Sequence, residues 1–248
     1  MFNVSDSAYD NFMGRFSVRL APVFADFAGI EAGNRVLDVG AGTGALTSEL
    51  VRRGADASAA DPSPTFVAGL RERLPDIGVH EAPAEELPWP DEVFDAALAQ
   101  LVLTFMNDAP AGLAEMKRVV RSGGLVAACM WDREGMEMLA AVSRTQQALG
   151  ASGAAAEQRT NFRSREEIET LFGPGVEMEL LEVEAAYSGF AELWDSVLGG
   201  AGPAGVWATS LDDAQRERAR DELHRQVGEP GGAFTLAGRA WAARVERR

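Results

Sequence analysis

The stretch VLDVGAGTGALTSELVRRG, Val36 to Gly54, constrains the fold of this chain more than any other. An apolar β pattern over Arg35–Val39 runs straight into glycines at three alternate positions, Gly40, Gly42 and Gly44. A helix follows with Leu46, Leu50 and Val51 on one side, and Gly54 suits its left-handed end. Thr43 is placed to cap the start of that helix. Strand, glycine turn and helix in this order form half of a βαβ unit, and the turn puts bare main chain beside the helix N–H groups. In open parallel sheets, ligands bind at such turns, beyond the carboxyl ends of the strands.

The rest of the chain continues the alternation. Phe12, Phe16, Leu20, Val23, Phe24 and Phe27 fall at helical spacing ahead of the first strand. Further strands are expected over Ala57 to Ala60, around Val79, over Val93 to Leu101 and over Leu125 to Trp131. Helices are expected from Pro64 to Leu74 and from Asn107 or Asp108 to the break at Ser122-Gly123-Gly124. Beyond Trp131 the pattern predicts helices over Met136 to Leu149, Arg165 to Phe172, Phe190 to Leu198 and Asp212 to Val227, with GGAGPAG as a connector between the last two. Val176 to Tyr187 and Phe234 to Val245 read as the remaining strands. The expected fold class is α/β: a Rossmann-like, seven-stranded, mostly parallel sheet with helices on both faces and a small helical cap. No repeat or low-complexity linker divides the chain, so 1–248 reads as one domain. Within it, 1–30 forms an N-terminal helical lid, 31–187 and 229–248 the core, and 188–228 a helical cap inserted before the last strand.

Composition narrows the partners. A formal charge of −15 and a single lysine, Lys117, argue against a nucleic-acid backbone, which needs basic contacts. One cysteine, Cys129, rules out an internal disulfide and fits a reducing compartment. No secretory leader or membrane span is evident, so a cytoplasmic location is expected. His80 and His224, the only histidines, and Cys129 form no metal pattern, and each is expected to pack or face solvent.

Two cofactor classes compete for the glycine turn. Gly40, Gly42 and Ala45 satisfy the dinucleotide fingerprint G-x-G-x-x-G/A, and Asp61 stands at the distance, about 20 residues on, of a ribose-binding acid. Asp38, two residues before Gly40, points elsewhere. An acid there repels a pyrophosphate but suits an ammonium group. S-adenosyl-L-methionine carries an ammonium, a sulfonium and a ribose, and no phosphate.

Five motifs in order resemble the class I S-adenosylmethionine-dependent methyltransferases, in the branch related to the ubiquinone and menaquinone methyltransferases. They are AYDNFMGRFS, VLDVGAGTG, AADPS, APAEELPWPDEVFDAALAQ and EMKRVVRSGGLVAACMW, and LGGAGPAG in the tail is similar to the cap of a bacterial subgroup. The resemblance implies that Gly40, Gly42 and Gly44 line the methionine and ribose part of the cofactor, that Asp38 orients its ammonium and that Asp61 receives the ribose hydroxyls. It implies that Ala84 and Glu85 meet the adenine edge and that Gln100 offers its carbonyl to the methionine end. Tyr9 is implied near the sulfonium and Arg15 near the methionine carboxylate. Pro83 departs from the family pattern, which usually has an acid there.

The expected activity is methyl transfer to a small, partly apolar metabolite by in-line displacement, driven mainly by proximity and exclusion of water. Trp131, Trp194 and Trp207 are candidates for the acceptor pocket, each with a plain packing role as the alternative. No general base is identified. The competing readings are an NAD-dependent oxidoreductase, a non-catalytic binder of S-adenosylmethionine, and a protein or RNA methyltransferase; charge disfavours RNA.

Overall fold

The computed structural model of the protein describes residues 10–150, 162, 164–199 and 202–248. After a π-helical turn at Asp10–Gly14 come α1 (Arg15–Phe27), β1 (Arg35–Val39), α2 (Ala45–Arg52), β2 (Asp56–Asp61), α3 (Pro64–Arg73), β3 (Gly78–Glu81) and β4 (Phe94–Gln100). A 3₁₀ turn at Leu103–Phe105 leads to α4 (Ala109–Val119), β5 (Val120–Met136), α5 (Glu137–Ala148), α6 (Arg165–Phe172) and β6 (Glu177–Tyr187). The chain ends with α7 (Phe190–Leu198), α8 (Gly202–Ser210), α9 (Asp213–Gln226) and β7 (Phe234–Glu246).

The seven strands form one sheet in the order β3-β2-β1-β4-β5-β7-β6. The pairs β1–β2, β2–β3, β1–β4 and β4–β5 are all parallel. From β1 the sheet grows outward through β2 and β3, then returns to place β4 on the other flank of β1. With right-handed crossovers, that reversal puts α2 and α3 on one face and α4 on the other. It also opens a crevice at the carboxyl ends of β1 and β4. The expected fold class is therefore the one found.

The described residues fall into two compact units, and β5, β6 and β7 run through both. One unit is drawn from the described residues of 20–132, 162, 164–181 and 240–248 and contains the parallel part of the sheet. Its central strands are made of small apolar residues buried on both sides, among them Val36, Leu37 and Val39 on β1 and Ala96 to Ala99 on β4. Ala59, Val67, Leu70 and Val79 form a satellite core where α3 covers β2 and β3. The other unit is drawn from the described residues of 10–19, 133–150, 182–199 and 202–239. It buries Met138, Ala141 and Val142 of α5, Leu193, Trp194 and Val197 of α7, and Leu223 of α9. Arg144 of α5 donates to Gln226 of α9 at 2.8 Å.

Three local expectations are corrected. GGAGPAG is not merely a connector: residues 202–210 form α8, because a proline in the first turn sacrifices no helical hydrogen bond. Thr43 does not cap α2. Its N-cap is Gly44, in the left-handed region at φ 86° and with no side chain to accept. Trp131 does not end β5, which starts before Ser122-Gly123-Gly124 and runs on to Met136. The Gly123 N–H donates to the Arg247 carbonyl and the Arg247 N–H to that of Gly124, both at 2.8 Å, so the glycines pair with the residue just past β7.

Candidate active site

The site is built at the carboxyl end of β1, where the apolar strand delivers Asp38 into the interior at 1% exposure. The Thr47 hydroxyl on α2 donates to Asp38 Oδ2 at 2.6 Å. Burial dominates its ionisation all the same. The carboxyl is pushed up to about 7, mainly by desolvation, against the Thr47 hydroxyl, with the nearby charge of Asp61 adding to the rise.

The glycine turn then folds its donors inward. The Gly40 and Ala41 N–H groups donate to the Ala60 carbonyl at 2.7 and 3.1 Å, and Gly44 N–H to the Ala41 carbonyl at 2.8 Å. Gly42 N–H donates to Asp61 Oδ2 at 2.8 Å. Arg73 braces the turn from outside, donating to the Thr43 carbonyl at 2.6 Å.

The three glycines have different reasons. A Cβ on Gly40 would lie 2.6 Å from both methyl carbons of Val102, so this residue is bare because β4's exit loop packs on it. On Gly44 the neighbour is Leu70 at 3.4 Å. Gly42, at φ 53°, faces nothing within 4 Å. Of the three, Gly42 alone presents open space.

Asp61 ends β2 beside this turn at 6% exposure. Its second oxygen accepts the Ser63 N–H at 2.8 Å, while Ser63 itself caps α3. Burial raises the Asp61 pKa, opposed by the two backbone donors. Each oxygen keeps a further lone pair for a hydroxyl.

On the β4 side, Gln100 ends the strand beside Cys129, and Leu101 follows in the left-handed region at φ 64°, its N–H bonded to the Cys129 carbonyl at 2.8 Å. Such backbone is uncommon for a leucine and clusters at ligand sites. Ala84 is buried. Glu85 Oε1 accepts the N–H groups of Asn107 and Asp108 at 2.7 and 3.0 Å, which anchors the approach to α4.

The surroundings of the remaining sequence candidates are as follows. The Arg15 guanidinium donates to Glu192 at 2.8 Å and to the Ala186 carbonyl at 3.0 Å, and sits 4.2 Å above the Tyr187 ring. That network holds Glu192 down at about 2, chiefly through the Ser188 N–H and Arg15. Tyr9 lies outside the described residues. Trp131 is buried, Trp207 half-buried. Trp194 lines a cavity of about 310 Å³ with Asp213, Arg216, Glu217 and Arg220. His80 packs edge-on against Trp89, and His224 packs on Phe190 with Nε2 3.2 Å from the Pro230 carbonyl. Cys129 is buried, and burial raises its thiol pKa. Sequence reasoning missed Thr47, Leu101 and Val102. Only the helical spacing after Gly44 hinted that Thr47 turns toward the strand.

Residues 37–128 match the family model described as a methyltransferase domain. An uncharacterized methyltransferase of Mycobacterium tuberculosis (strain ATCC 25618 / H37Rv) is 44% identical over 93 residues, 38% of this chain and 38% of that protein. A demethylmenaquinone methyltransferase of Beutenbergia cavernae is 40% identical over 99 residues, 40% of this chain and 41% of its own. The chain therefore aligns with less than half the length of these relatives. A solved structure of a proposed type II methyltransferase from Anaeromyxobacter dehalogenans superposes with a TM-score of 0.63 at 22% identity, over 93% of this chain and 96% of the other. Residues 37–128 are thus similar to a methyltransferase domain, and the Rossmann-like fold that carries them is shared with that solved structure.

Proposed function

We propose that the protein is an S-adenosyl-L-methionine-dependent methyltransferase acting on a small, partly apolar metabolite. One observation carries the choice of cofactor: the N–H groups of Gly40, Ala41, Gly42 and Gly44 are all bonded within the protein, and two buried acids flank the turn. A pyrophosphate needs those N–H groups free and a positive neighbourhood. Here positions 36–51 contain no lysine or arginine. The donor set instead fits a phosphate-free ligand with an ammonium and a ribose.

In this reading Asp38 receives the ammonium, directly or through water, and Asp61 the ribose hydroxyls. Gly42 gives the cofactor room. Gly40 and Gly44 contribute by holding the turn in shape. Ala84 and Glu85 border the adenine, Glu85 as the residue that fixes the start of α4, and Gln100 offers its backbone carbonyl. Tyr9 is kept as a contact near the sulfonium. When bound, the cofactor supplies a methyl group already activated by its sulfonium. The protein's part is to orient the nucleophile in line, near 3–3.5 Å, and to exclude water. Trp131, Trp194 and Trp207 are proposed for the acceptor side, where aromatic surface suits a partly apolar molecule. The reading of 1–248 as one methyltransferase domain with 188–228 inserted before the last strand belongs to the same proposal, as does a cytoplasmic location. Among the described residues no helix is long and apolar enough to cross a membrane.

Titration calorimetry with S-adenosylmethionine, S-adenosylhomocysteine and NAD(H) tests the cofactor. Binding of the first two without the third is expected; tight NAD(H) binding with neither of the others would reverse the conclusion. Labelled methyl transfer to a panel of apolar hydroxyl, amine and carbon acceptors then separates an enzyme from a non-catalytic binder.

A further inference from the structure

We propose that Thr47 is a positioning residue for the methyl-donor site: its hydroxyl holds the Asp38 carboxylate in the orientation and ionised form that receive the donor's ammonium. This rests on the methyltransferase reading given above.

Where a helical serine or threonine is buried, its hydroxyl commonly returns to a carbonyl three or four residues earlier. Thr145 does so, donating to Ala141 at 2.8 Å, and Ser196 donates to Leu193 at 2.7 Å. Thr47 is as buried as Thr145, yet its proton goes to a carboxylate on another element, Asp38 on β1, at 2.6 Å. A short bond from a neighbouring element fixes the orientation of the Asp38 carboxylate.

The surroundings make that hydroxyl decisive for charge. The groups facing Asp38 are Asp61 on β2, Cys129 on β5 and Thr47 on α2. Burial and Asp61 favour the protonated acid, and the charge of Asp38 in turn raises the Cys129 thiol. The main influence that favours the carboxylate is the Thr47 hydroxyl. A hydrogen bond from a hydroxyl to a charged acceptor is strong enough to move a titration by about one pH unit or more. Close to neutrality such a change decides whether the site presents a charge.

Thr47→Val keeps the side-chain shape while deleting the hydroxyl; Thr47→Ser keeps the hydroxyl. The titration of the Asp38 carboxyl is followed by carbon NMR in the ligand-free protein, with Asp38→Asn to assign the signal. S-adenosylmethionine affinity is measured from pH 6 to 9. In Thr47→Val the Asp38 midpoint is expected to rise by about one pH unit or more. Affinity is then expected to fall by about fivefold or more at pH 7 and to approach the wild type at pH 9, with Thr47→Ser tracking the wild type throughout. An unchanged midpoint in Thr47→Val overturns the proposal, as does a loss of affinity equal at every pH. If the wild type binds no S-adenosylmethionine, the methyltransferase reading fails and the donor role falls with it. The NMR midpoint still decides separately whether Thr47 controls Asp38.

Discussion

Replacing Asp38 by asparagine is expected to stabilise the ligand-free protein while weakening the donor site. Asp38 is buried at 1% exposure, and its pKa rises from 3.8 in the unfolded chain to about 7 in the native state. The native state therefore binds this proton more tightly than the unfolded chain. The stability contributed by that tighter binding is complete below about pH 3.8 and lost as pH climbs through about 7. A rise across roughly three pH units, at about 1.4 kcal/mol for each, gives an upper bound of about 4 kcal/mol, missing from the wild type at neutral pH and above. Asparagine keeps an oxygen for the Thr47 hydroxyl without a charge to bury. In urea titrations from pH 5 to 8, the variant's advantage is expected to grow by about 1.4 kcal/mol per pH unit up to pH 7 and then to level off. Taking the difference between the two proteins cancels carboxylates that behave alike in both. Binding of S-adenosylmethionine by the variant should be much weaker at every pH, because no pH restores the charge. A stability difference that is flat from pH 5 to 8 would refute the claim that the native fold strains this ionisation.

The glycines provide a matched contrast. Gly40→Ala forces a Cβ to within 2.6 Å of Val102 and should destabilise the fold by about 2 kcal/mol or more, read from the urea midpoint. Gly42→Ala meets nothing within 4 Å, so only the left-handed backbone cost of about 1 kcal/mol is expected, together with a loss of S-adenosylmethionine affinity. Equal stability losses at the two positions would contradict the packing described. Asp61→Asn can no longer offer two carboxylate oxygens to the Gly42 and Ser63 N–H groups, and calorimetry should show affinity reduced by about 1–3 kcal/mol. Glu192, held at about 2, contributes stability above its unfolded value of 4.5 that is lost as pH falls toward 2. Since it is 38% exposed, screening limits that contribution to about 1 kcal/mol, so Glu192→Gln should shift acid unfolding only slightly upward in pH.

The difference between what could be read from the sequence and what needed the fold follows the range of the interactions. Strand β1, the glycine turn and α2 are local, and their apolar periods and breakers announce them in a few residues. The parallel alternation is equally legible, since each strand and helix carries its own pattern. Local patterns mislead where one residue type has two uses: GGAGPAG reads as a connector, but its proline is harmless in the first turn of α8. The site's reasons are mostly non-local. Gly40 is glycine because of Val102, and Asp38 is set by a hydroxyl on the next helix as much as by its own strand. Glu85 holds backbone groups at Asn107 and Asp108, and Arg15 is engaged by Glu192 far along the chain. No period or spacing encodes such pairings, so motif order could suggest a ligand class without explaining why each motif residue is there. The glycine motif therefore combines one residue that leaves room for a ligand with two that leave room for protein. A substitution that preserves the motif's letters around Gly40 but enlarges Val102, such as Val102→Phe, should disturb the turn as surely as changing the glycine itself. Donor affinity unaffected by Val102→Phe would show that the β4 exit does not hold the turn in place.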